Sequence, residues 1–86
     1  MATTTKAQRL AHYDAQLKAL ESMADKAPYH IDSDPEYIAL TALVVDWDMG
    51  KRRFCPSLKQ EIFNLHRSIS QRVEACYYLS RGVAWG

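Results

Sequence analysis

Residues 35–49, PEYIALTALVVDWDM, decide the fold of this chain. Pro35 sits where a helix begins, because its ring presets φ and its missing N–H is not needed there. Either Ser33 with Glu36 forms a capping box, or Asp34 caps and Pro35 is the first helical residue. Gly50 follows as a stop. The valine pair and the aromatics also suit a strand. Length, Ala and Leu content and the capping residues favour helix. Between Tyr37 and Val45 the segment is apolar almost all round. A surface helix of a small monomer normally keeps a polar face. This one offers water Thr41, Asp46, Asp48 and, at its start, Glu36. Two neighbouring helices are expected to clasp it, and any apolar surface they leave bare is expected to be a dimer or partner interface.

The segments on either side supply two such helices. Over residues 5–26, Thr5 and Gln8 fit a capping box. Leu10, Tyr13, Leu17, Leu20 and Ala24 recur at spacings of three and four, which places them on one helical face. Pro28 ends that helix. Over residues 58–81, Leu58, Ile62, Leu65, Ile69, Val73, Cys76 and Ser80 repeat the pattern. Phe63, Tyr77 and Leu79 are read as widening the stripe. Ser57 and Gln60 suggest a capping box at its start, and Gly82 a C-terminal cap. The expected fold is all-α: one domain over residues 1–86, a compact three-helix bundle with helices at about 5–26, 35–49 and 58–81, dimerising through the apolar second helix.

The chain has 86 residues, and at that length it buries only roughly 60–65% of the surface its unfolded form exposes. Its 48% hydrophobic content is enough for a core and argues against disorder. Eleven Lys and Arg against ten Asp and Glu leave a net charge of +1, too little for a dedicated polyanion binder. Two cysteines, Cys55 and Cys76, are too few for a disulfide framework. The start lacks the apolar run of a signal peptide, and no apolar stretch nears the ~20 residues that span a bilayer. A reduced, cytoplasmic protein with no membrane segment is expected.

No catalytic or cofactor motif of any strength is present. His30, Asp32, Asp34 and Glu36 alternate as oxygen-rich ligands can. They lack the glycine and distal glutamate of a calcium loop, so they read as a polar linker and helix cap. Cys55 lies in a basic neighbourhood, but His12, His30 and His66, the histidines that could serve it as a base, fall in no recognised local signature. Cys76 falls on the apolar stripe, as does a core residue. His66 reads as structural at the core edge. Lys51, Arg52, Arg53 and Phe54 form a basic and aromatic cluster. It suits a solvated loop that neutralises Asp46 and Asp48, an Arg-rich protein contact, or phosphate binding with base stacking. Adjacent residues Tyr77 and Tyr78 cannot face the same way on one helix, so one of them is expected outside the core.

These readings lead to a non-enzymatic protein–protein interaction module. It would be a small adaptor or stoichiometric inhibitor or regulator of a larger intracellular protein, a type common among phage and mobile-element products. The residues expected to carry the contact are Trp47, Asp48, Lys51, Arg52, Arg53, Phe54, Tyr78 and Trp85. They are types that dominate interface energetics, or charges beside them. The alternative is a nucleic-acid-binding protein, or a regulator of a nucleic-acid enzyme, acting through residues 51–54. No cofactor or metal is expected.

Overall fold

The computed structural model describes residues 5–82. Helix α1 spans Lys6–Lys26, α2 spans Pro35–Asp48 and α3 spans Pro56–Ser80, with one 3₁₀ turn at Ile31–Ser33. The all-α three-helix reading of the sequence holds, and the helix bounds fall within two residues of those read from periodicity.

Local chemistry explains each start. The Gln8 amide donates to the Thr5 hydroxyl (3.2 Å), and the Thr5 amide donates back to the Gln8 side chain (2.9 Å). This reciprocal pair is the expected capping box. At α2 the choice between Ser33 and Asp34 resolves to Asp34. Its carboxylate accepts from the Glu36 and Tyr37 amides, with Pro35 in the first turn. The start of α3 differs from expectation. Cys55, not Ser57, is the cap: its thiol accepts from the Leu58 amide at 3.4 Å, and Pro56 opens the helix. A proline at the first helical position needs no amide there, so the helix begins before the serine.

The ends are equally local. Ala27 and Tyr29 amides take up the carbonyls that Met23 and Ala24 would otherwise leave free. After α2, the Gly50 amide donates to Trp47 and the Lys51 amide to Asp46. Gly50 stands at φ +78°, which completes a Schellman ending.

The core joins Leu20, Ala24 and Ala27 of the first segment, Tyr37, Leu40 and Trp47 of α2, and Leu58, Ile62, Ile69 and Val73 of α3. Ile31 of the 3₁₀ turn closes one end. The central element is α3 rather than α2. Helix α2 packs chiefly on α3 and only sparsely on α1, while α1 also leans mainly on α3. The reason is length and phase: α3 is the longest helix and keeps its apolar row in register over 25 residues, whereas α2 buries only one side of its 14. Phe63 and Leu79, expected to widen the α3 stripe, are instead exposed. Tyr77 and Tyr78 are both half-buried and meet edge to face at 5.6 Å.

Candidate partner-docking surface

The aromatic residues at the end of α2 do not form a surface patch. Trp47 is 3% exposed. Its ring meets Phe54 at 4.8 Å and Tyr13 at 5.8 Å, and the Arg9 guanidinium lies 4.8 Å from the Phe54 ring centre. This cluster seals the end where α1 starts, α2 stops and α3 starts. Trp47 was expected in the contact surface because a segment apolar all round gives periodicity no phase. Phe54 is half-buried against it.

The expected charges lie around the same end. Asp48 is exposed, and its carbonyl accepts from the Lys6 ammonium (3.2 Å). Lys51 and Arg53 are exposed. Arg52 does not neutralise Asp46 or Asp48; it pairs with Glu61 of α3 at 3.1 Å. Tyr78 lies at the opposite end of α3, beside Met23, Lys26 and Val73. Trp85 lies outside the described residues.

The surface that α2 does leave bare lies on its far side. Ile38 (54% exposed), Val45 (50%) and Met49 (64%), with exposed Ala42 between them, follow a four, three, four spacing. That spacing forms one ridge along a helix. The ridge borders an open groove of about 540 Å³ where α1 and α2 diverge. Leu10, Leu17, Val44 and Val45 make its floor and wall; Asp14, Glu21 and Asp48 stand on its rim, with Lys18 as the cation among them. Lys18 is paired with Asp14 at 3.1 Å. The Tyr37 hydroxyl donates to Glu21 beneath the rim. Burial, together with that carboxylate, pushes the tyrosine pKa well above its ordinary range.

A polar cluster invisible to periodicity holds the opposite side of α2 in place. The Arg72 guanidinium of α3 donates to both Asp34 oxygens (2.7 and 2.9 Å) and to Glu36. Tyr29 donates to Asp34, and Ser68 to Glu36 (2.8 Å). Burial alone would raise the Asp34 pKa. The Tyr29, Arg72 and Glu36-amide hydrogen bonds outweigh it and hold the carboxyl below its usual range. Glu36 is lowered as well, by Ser68 first and then by Arg72. Two of the four alternating polar residues in the 30–36 segment are therefore committed to the fold. Among the described residues, no buried side-chain nitrogen or oxygen lacks a hydrogen-bond partner.

The remaining reactive groups are also engaged. The Cys76 thiol donates to the Ala27 carbonyl at 3.0 Å, and Cys55 caps α3. His66 lines a crevice between α1 and α3 with His12 and Phe63, and burial lowers its pKa. No helix among the described residues is long and apolar enough to cross a membrane. No protein-family model matches the chain, and no curated protein or solved structure is significantly similar to it.

The balanced net charge conceals a segregation that the sequence does carry. Residues 10–48 hold eight of the ten carboxylates and only two of the eleven lysines and arginines. Helix α2 carries three carboxylates and no lysine or arginine, whereas α1 is mixed, with three carboxylates and four cations. The basic residues gather on α3, on the 49–55 connection and at the start of α1.

Proposed function

We propose that this chain is a non-enzymatic protein-interaction module, an adaptor or stoichiometric regulator in the cytoplasm, that docks its partner on the α1–α2 face. One observation carries the reading. A folded chain with a satisfied core leaves Ile38, Val45 and Met49 exposed in one row beside an apolar groove. Scattered exposed apolar residues are ordinary, but a contiguous row beside a groove is the form of a docking site. Asp48, on the groove rim, extends that face at one end, and the buried Trp47 anchors the helix behind it.

The test is recovery from a lysate by tagged protein, with and without nuclease, for the natural chain and Val45→Asp. Val45 is half-exposed, so the charge alters the ridge and leaves the core intact. A protein recovered in stoichiometric amount, resistant to nuclease and lost with Val45→Asp, supports the reading. Equal recovery by the variant places the interface elsewhere.

One further arrangement favours the alternative of nucleic-acid binding. Lys6, Arg9, Lys51, Arg52, Arg53 and Lys59 converge on the end where α1 and α3 begin. Phosphate binding there would show affinity falling steeply with salt, and Lys51, Arg52 and Arg53 changed to Ala would flatten the slope.

A further inference from the structure

From the charge around the α1–α2 groove, and resting on the docking function proposed above, we infer that its occupant is a cationic amphipathic helix of another protein. The groove floor is apolar, from Leu17, Val44 and Val45, and the rim carries Asp14, Glu21 and Asp48. Lys18, the cation in the lining, pairs with Asp14, so the three rim carboxylates leave an excess of two negative charges. An apolar floor between acidic edges complements a helix whose apolar stripe is flanked by Lys or Arg. The groove between two helices fits a helix better than an extended strand, because it offers no free backbone amides or carbonyls for a strand to pair with.

The same charges argue against a second copy. A two-fold pairing brings a patch against itself. Groove to groove, a rim with excess carboxylates would meet a rim with the same excess. Like charges set against each other disfavour such a pairing. An acidic second depression extends the field beyond the rim: Asp25 and Asp32 line it, and it shares Glu21 with the groove.

The test uses three synthetic helical peptides with identical leucine stripes, flanked by Lys, Gln or Glu, titrated into the full chain by amide NMR. The Lys peptide is expected to shift Leu17, Thr41, Val44 and Val45. It should bind at least about tenfold more tightly than the Glu peptide, with the difference shrinking as salt rises. Changing Asp14 and Asp48 together to Asn should reduce that preference. Val45→Asp should abolish the shifts for every peptide. Equal binding of all three at these residues overturns the charge inference and leaves the docking function standing. Shifts confined to other residues, or none, overturn the inference, and the lysate experiment judges the docking function separately. A concentration-dependent dimer in sedimentation that Val45→Asp abolishes makes the occupant a second copy and likewise overturns it.

Discussion

Replacing Arg72 by Met should lower stability more than a typical surface ion pair would. Exposed pairs contribute roughly 0–1 kcal/mol. Arg72 differs because its partner is buried: the Asp34 side chain is 2% exposed and that of Arg72 37%. Removing one partner of a fully buried pair costs about 3–5 kcal/mol. Two features reduce that figure. The guanidinium is partly solvated, and Asp34 keeps the Tyr29 hydroxyl and the Glu36 amide. About 2–3 kcal/mol remains, after discounting for solvent screening. A chain of this length is expected to have only roughly 4–13 kcal/mol in total. At 4–8 °C per kcal/mol the melting temperature should fall by roughly 8–24 °C. The assay is urea unfolding followed by circular dichroism at neutral and acid pH.

The pH dependence isolates the cause. Asp34 is held below its unfolded pKa, so the unfolded chain binds more protons through the acid range. The stabilisation is therefore full above about pH 4 and fades as pH falls through the folded value. The gap between the natural chain and Arg72→Met should narrow on acidification. Arg72→Lys should recover only part of the loss, because an ammonium cannot make the two-pronged contact. Asp34→Asn keeps a good cap and loses the charge, so the double variant with Arg72→Met should cost less than the two single losses added. A loss under about 1 kcal/mol, or a gap that does not change with pH, would refute the assignment of Arg72 as the anchor of α2.

Three further outcomes follow from the same packing. Trp47→Ala should cost about 3–5 kcal/mol and loosen the Tyr13 and Phe54 rings; near-native stability by urea unfolding would contradict the burial of the indole. Gly50→Ala should cost about 1–2 kcal/mol, wholly from backbone strain at φ +78°, since an added Cβ meets no atom within 4 Å. Gly50→Asn should cost less, and equal losses would point to a packing cause instead. Tyr29 and Tyr37 are both held above their ordinary pKa, the first chiefly by its bond to Asp34 and the second chiefly by burial. Their stabilisation is full below about pH 10 and is lost as pH rises beyond it, so melting temperature should fall on that alkaline limb, and less steeply in Tyr37→Phe.

What was legible in the sequence was what local chemistry decides. Asp34-Pro35, Gly50 and Gly82 mark helix ends because a cap acts within three or four residues of itself. The rows from Leu10 to Ala24 and from Leu58 to Cys76 declare their buried faces because polar residues fill the others. The three-residue turn Ile31–Ser33 has no period to read. Helix α2 has too few polar residues to betray its phase, so the sequence puts the buried Trp47 in the contact surface and does not single out the exposed Val45. Arg72 was hidden for the opposite reason. A charge among polar neighbours in a long helix reads as solvated, and only the packed fold brings Asp34, 38 residues away, against it.

The outward ridge and the inward anchors are one fact. At about 100° per residue, positions seven apart on a helix project within about 20° of each other. Leu40 and Trp47 form one such pair, both buried; Ile38 and Val45 form another, about 200° from the first around the helix. Arg72 holds the start of α2 through Asp34 and Glu36, and the Tyr13–Trp47–Phe54 cluster holds its end. With both ends fixed, α2 cannot roll its second apolar face inward without exposing Leu40 and Trp47 and stripping Asp34 of its cation. Exposure of Ile38 and Val45 is therefore a consequence of how α2 is held, not of loose packing. The core that stabilises the bundle and the ridge proposed to bind a partner are two faces of one short helix. Weakening either anchor should then blur the docking surface even where the helix itself survives.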